Sequence, residues 1–168
     1  MSTPEFSRPF DLREIGDKPV ELEATAQERA ALARRFGIVA IKRLTATLKL
    51  EPVGDTIEAH GRLAAAIVQS CAVSGEDLPV AIDEPVGIRF VPETPVEAVE
   101  LELASEDLDE VPYSGGSLDL GEAVAQSLAL AIDPYATGPE AERVRKEVLG
   151  DEAASGPFAA LAALKKKP

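Results

Sequence analysis

Leu44, Ala46, Leu48 and Leu50 alternate with Thr45, Thr47, Lys49 and Glu51, the period of two that lets a strand bury one face and wet the other. Pro52-Val53-Gly54-Asp55 breaks the run. Alternation resumes at Thr56, with Ile57, Ala59, Leu63, Ala65, Ile67 and Cys71 in odd register and Glu58, His60 and Arg62 in even register. Two such runs joined by a turn predict a long antiparallel hairpin. Gly61 is expected to mark a bulge that exchanges the faces beyond it. A second turn at Ser74-Gly75-Glu76-Asp77 leads into Leu78, Val80, Ile82, Val86, Ile88 and Phe90 at even positions, and Val99, Leu101 and Leu103 close a fourth strand. The pattern predicts a meander of long antiparallel strands.

Helices flank this meander. Thr25-Ala26-Gln27-Glu28 has capping-box spacing, Leu32 and Phe36 fall on one face with Ala33 beside them, and Gly37 supplies a left-handed stop, so a helix is expected over about residues 26–36. Asp119-Leu120-Gly121-Glu122 repeats the capping spacing, with Leu118 and Ala123 placed for a hydrophobic staple. Leu120, Val124, Leu128, Ala131 and Ile132 follow at helical intervals until Pro134 disfavours a helical Asp133. Residues 104–117 are acidic and rich in turn formers, and read as a mobile loop. The expectation is one α+β domain over residues 1–136, an antiparallel sheet of long hairpins with two packed helices. A helical, partly flexible tail over 137–168 runs as a polar helix to about Leu149 and ends in Pro157-Phe-Ala-Ala-Leu-Ala-Ala-Leu-Lys-Lys-Lys.

The formal charge of −13 is unevenly spread. Residues 1–75 hold ten bases and ten acids, residues 76–142 one base and seventeen acids, and residues 143–168 six bases and three acids. Such a balance opposes bulk attraction to DNA. The longest uncharged stretch, Leu63 to Gly75, is thirteen residues, short of the roughly 20 that a membrane helix needs. No secretory segment opens the chain, and one cysteine cannot form an intrachain disulfide, so a cytoplasmic location is expected.

Chemistry-bearing motifs are few. Cys71 and His60 are the minimum for nucleophilic catalysis, but an unbroken strand puts them on opposite faces unless Gly61 shifts the pairing. A lone cysteine among aliphatic residues more commonly packs as a small hydrophobe. Two soft or imidazole ligands fall short of a structural zinc site. Carboxylates are plentiful, yet none are singled out as an acid/base pair, and Gly115-Gly116 lacks the following Lys-Ser/Thr of a phosphate loop. No enzyme activity, cofactor or metal is expected; a small hydrolase built on Cys71 or His60 is the weakest of the readings kept open.

The cations are more informative. Arg29, Arg34, Arg35, Lys42, Arg43 and Lys49 follow one another between residues 29 and 50 with no acid among them, and Arg62 lies on the strand expected to pair alongside. These seven are candidate contacts to RNA phosphates. With Phe36 the sole aromatic nearby, recognition of backbone or shape is expected over base stacking. The competing reading is that they are ordinary solvent faces, partly paired with the acidic half. That acidic half is in turn a candidate surface for a basic protein, or simply a source of solubility. Phe158, Leu161, Leu164, Lys165 and Lys166 make a candidate docking peptide at the C-terminus, or a frayed end.

Several ordered segments carry a resemblance. Phe6-Ser-Arg-Pro, Glu28-Arg-Ala-Ala-Leu-Ala-Arg-Arg, Gln69-Ser-Cys71-Ala-Val, Glu84-Pro-Val-Gly-Ile-Arg-Phe90, Leu118-Asp-Leu-Gly-Glu-Ala-Val and Leu128-Ala-Leu-Ala-Ile-Asp-Pro134 stand in this sequence in this order. In order and spacing the chain resembles the YceD family, the large ribosomal RNA subunit accumulation proteins of bacteria and chloroplasts, in its alphaproteobacterial form. The resemblance implies a non-enzymatic factor supporting 23S ribosomal RNA levels and large-subunit assembly. Its partner would be ribosomal RNA or a large-subunit precursor, with a basic ribosomal protein as the alternative. Cys71, Asp119, Leu120, Asp133 and Pro134 match the family signature, and we read them as structural. Many relatives carry a second cysteine three positions after the first; here that position is Ser74, so no metal or redox role is carried over.

Overall fold

The computed structural model describes residues 3–93 and 108–149. They fall into two compact units, one of Met1–Gln69 with Pro79–Asp133 and one of Ser70–Leu78 with Pro134–Pro168. The expected fourth strand at residues 99–103 and the C-terminal docking peptide, Phe158 to Lys166, lie outside the described residues.

The first unit is built on the alternating runs. Strand β2 (Val20–Glu23), β3 (Ala40–Val53), β4 (Thr56–Ser70), β5 (Asp77–Pro92) and β6 (Asp109–Tyr113) form a five-stranded sheet in that order. The β3–β4 hairpin turns at Gly54 and Asp55 and pairs from Val53 opposite Thr56 to Ala40 opposite Val68, with one shift of register near its far end. Leu44, Ala46, Leu48 and Leu50 face inward with Ile57, Ala59, Leu63, Ala65 and Ile67, all buried. The alternation thus becomes one apolar layer, at roughly 25 cal/mol for each Å² removed from water.

Two expectations about this sheet are corrected. Gly61 is not a bulge, for it pairs directly with Leu48, and a Cβ there would overlap the Thr47 carbonyl. Glycine is required by close backbone approach rather than by a change of register. The bulge lies at Lys42, between the pairs Ile41–Ile67 and Arg43–Ala66. The sheet is also not a pure meander, because β6 pairs parallel to β5, Ile88 opposite Asp109 through Pro92 opposite Tyr113. Part of the segment expected as a mobile loop is therefore strand: Val111 and Tyr113 pack against the core, and the Tyr113 hydroxyl donates to the Asp55 carbonyl at 3.1 Å.

Helix α1 (Ala26–Phe36) starts in the expected capping box: Thr25 Oγ1 accepts from the Glu28 amide and the Glu28 carboxylate accepts from the Thr25 amide at 2.7 Å. It ends at Gly37, φ +67°. Leu32 and Ala33 carry it onto the sheet while Phe36 is half-buried. A small second sheet pairs β1 (Pro9–Asp11) with β7 (Ser117–Asp119), which leads directly into α2 (Leu120–Ala131). Asp119 is the N-cap of α2, its Oδ1 accepting from the Glu122 amide at 3.1 Å. The same carboxylate takes the Ser7 hydroxyl at 2.6 Å and the Arg8 amide at 2.9 Å. One side chain thereby fastens the N-terminal segment to α2, and Phe6 beside it is buried in the core. The close approach explains Gly121, where a Cβ would crowd the Phe6 carbonyl. Leu120, Val124 and Leu128 bury the inner face of α2 completely. The helix closes at Ile132, and the Asp133 carbonyl accepts from Nε2 of Gln69, a buried polar side chain, at 2.7 Å before Pro134 turns the chain away.

In the second unit, α3 (Ala141–Leu149) realises the expected polar helix. The Cys71–Glu76 turn is tied to the segment before α3 by Ala72 N–H to the Ala136 carbonyl and Glu140 N–H to Glu76 Oε1, both at 3.0 Å.

Candidate nucleic-acid interface

The seven candidate cations do not form one patch. The bulge at Lys42 inserts a residue just after α1 has delivered the chain to the sheet, so Lys42 and Arg43 are exposed in succession rather than on alternating faces. Lys42 then lines a groove of about 370 Å³ between α1 and the start of β3, together with Arg29, Arg34 and the apolar run Ile38 to Ile41. No carboxylate lines it. Arg29 is held in place by donating from Nη1 to the Ala24 carbonyl at 2.6 Å, which fixes its position and leaves its charge uncompensated. Among the described residues Arg34, Lys42 and Arg43 have no ion-pair partner.

The other candidates are committed elsewhere. Arg35 reaches Glu122 with both terminal nitrogens, at 2.8 and 2.9 Å, and Glu5 at 3.0 Å. Hydrogen bonding to Glu122 raises the Arg35 pKa, and the same contact lowers that of Glu122. Two carboxylates on one guanidinium cancel its charge, and Arg35 joins α1, α2 and the N-terminal segment instead of facing a ligand. The spacing predicts a capping box between Asp119 and Glu122, but the Glu122 carboxylate serves the pair with Arg35 instead. Lys49 and Arg62 sit on the outer face of the sheet, where Thr47 lies opposite Arg62 and Lys49 opposite His60. Lys49 pairs with Glu51 at 2.7 Å and Arg62 with Asp83 at 2.8 Å. Both pairs are solvated, so they hold little energy, and each carboxylate offsets the charge of the cation it touches.

His60 and Cys71 have different surroundings, each within its own unit. His60 points outward and contacts Glu58 at 3.2 Å, while Arg89 binds the other Glu58 oxygen at 3.0 Å; His60 and Arg89 together hold the Glu58 carboxyl below the usual range. Cys71, in the second unit, is buried, and its Sγ accepts the amides of Ser74 at 3.3 Å, Gly138 at 3.4 Å and Val73 at 3.5 Å. Hydrogen bonding from the Ser74 side chain, ahead of these backbone amides, pulls the thiol down to about 6. Read from the sequence as a small buried hydrophobe, Cys71 is buried and is in addition the hydrogen-bond acceptor around which its turn is wound. Among the described residues no group of three or more His, Cys, Asp and Glu side chains could hold a metal, and no helix is long and apolar enough to cross a membrane.

A family model described as large ribosomal RNA subunit accumulation protein YceD matches residues 59–165, more than half of the chain. The chain belongs to the YceD family. That membership ties it to accumulation of large-subunit ribosomal RNA, by a factor whose family name denotes no enzymatic activity. The YceD match runs from within β4 through α3, with Arg62, Cys71 and the Asp119 cap, while α1 and the basic groove precede it. No curated protein and no solved structure matches the chain.

Proposed function

We propose that this YceD protein supports large-subunit assembly by binding 23S ribosomal RNA, or a precursor particle that displays it, through the groove between α1 and β3. The observation that carries the reading is the triad Arg29, Arg34 and Lys42 around one groove without an acid, with Arg43 exposed next to it, in a protein of net charge −13. On a chain of strongly negative net charge, an uncompensated cationic site both permits RNA binding and fixes its orientation. The groove is shallow and carries no exposed aromatic ring, which suits phosphates of a folded RNA rather than splayed bases.

The test is sedimentation of cell extracts. The wild-type chain should travel with large-subunit precursors, and a variant combining Arg29→Gln, Arg34→Gln, Lys42→Gln and Arg43→Gln should stay at the top of the gradient while remaining folded. Undiminished co-sedimentation of that variant at physiological salt would refute the groove.

A further inference from the structure

A second surface of the first unit has the opposite character. Three adjoining cavities, of about 510, 230 and 460 Å³, follow the side of α2 where it faces β6 and the end of β5, and neighbouring cavities share lining residues. Glu110 and Gln126 line the first two; Asp109 and Leu130 line the second and third. Every charged residue along this groove is acidic. At one end Asp119 and Glu122 are spent on the α2 cap and on Arg35, but at the other Glu84 and Asp109 are exposed and have no ion-pair partner among the described residues. Leu130 stands beside them, 75% exposed. An isolated exposed leucine is ordinary; one lining the same cavity as two unpaired carboxylates has the apolar-plus-anionic composition that accepts the methylene stem and cationic head of lysine or arginine.

We propose that this groove binds a Lys/Arg-rich segment of a partner protein, Leu130 covering an apolar side chain or stem and Glu84 and Asp109 receiving the cations. The partner is a basic peptide rather than a second copy of this chain for two reasons. Two copies would set acidic grooves against each other. The exposed sheet edge also carries Pro85 on β5 and Pro112 on β6, which lack the N–H needed for strand addition and guard the edge against pairing. Recognition is therefore through side chains in the groove. The site is separate from the α1–β3 groove and does not depend on it, and Glu84, Asp109 and Leu130 lie within residues 59–165, the segment matched by the family model.

Fluorescence anisotropy with the full chain and a labelled peptide of alternating Lys and Leu tests this, with a Lys-Ser peptide of equal charge as comparison. The alternating Lys-Leu peptide should bind more tightly than the Lys-Ser peptide. Glu84→Lys with Asp109→Lys should weaken it by at least about tenfold, and Leu130→Ser, which removes no charge, by roughly tenfold. Equal affinity for both peptides, or no loss with Leu130→Ser, would show diffuse attraction by a polyanion and overturn the proposal. A dimer in sedimentation equilibrium that Glu84→Lys with Asp109→Lys dissociates would overturn it in favour of a second copy. Binding of RNA by the Glu84→Lys, Asp109→Lys variant reports separately on the basic groove.

Discussion

Replacing Arg29, Arg34 and Lys42 by Gln removes three uncompensated cations from one groove, and the consequence for RNA binding can be worked out. Each phosphate neutralised by a cation releases counterions and contributes about −0.9 to the slope of log K against log salt on a duplex. Three contacts contribute about −2.7, which at roughly 0.15 M salt corresponds to an affinity loss of about a hundredfold. Anisotropy titrations of a structured 23S ribosomal RNA fragment over a series of salt concentrations measure the slope directly. Arg35→Gln is the matching control. It removes the same charge from the same helix, but that charge is already held by Glu5 and Glu122, so the slope should be unchanged while the urea midpoint falls. Had the cations acted merely as a cloud of positive charge, Arg35 would count as much as Arg34. A slope preserved in the triple variant, or reduced equally by Arg35→Gln, refutes the reasoning.

Three further outcomes follow from local geometry. Arg8 clasps Glu28 with two hydrogen bonds at 2.6 and 2.8 Å, and this contact first, then the Thr25 amide, holds the Glu28 carboxyl at about 2. Stability from Glu28 is therefore complete above about 4.5 and fades as pH falls towards 2. A shift of that size is worth at most about 3 kcal/mol, and partial solvation of both groups reduces it to about 1 kcal/mol. The stability gap between wild type and Glu28→Gln, from urea titrations, should close across that window, and a gap independent of pH would refute the assignment. Gly61→Ala should cost about 2 kcal/mol by forcing the β3–β4 pair apart at Thr47, whereas Gly16→Ala, with open space around it, should stay within about 0.5 kcal/mol; thermal unfolding compares the two. Thiolate absorbance should give Cys71 a midpoint near 6, moved upward by Ser74→Ala, since Ser74 is the leading cause of the shift. A midpoint unmoved by Ser74→Ala would place the cause elsewhere.

What could be read in the sequence was what is local. The inward faces of β3 and β4 were legible because a period of two must bury one side, and both helix starts were legible because Thr25 and Asp119 satisfy amides only three residues away. Strand β6 escaped because Asp109, Glu110 and Pro112 outweigh the strand preference of Val111 and Tyr113 in so short a segment; its pairing is set by β5 through a parallel register between distant segments. Gly61 misled because a glycine within a strand signals either a bulge or a close approach, and only the position of the Thr47 carbonyl decides between them. The same limit governed the cations. Six bases without an intervening acid looked like a single patch, yet the acids that neutralise Arg35 come from 30 and 87 residues away in the chain. Arg29, Arg34, Lys42 and Arg43 are the part of that reading which the fold leaves uncompensated, and the bulge at Lys42 that exposes the last two had no mark in the sequence.

The role of the α1–β3 groove is tested most directly by ultraviolet crosslinking in growing cells, with sequencing of the attached RNA and mass spectrometry of the attached peptide. The expected result is 23S ribosomal RNA or its precursor joined to peptides from residues 26–43. Crosslinks found only on residues 84–131, or no enrichment of large-subunit RNA, would contradict RNA binding by the groove.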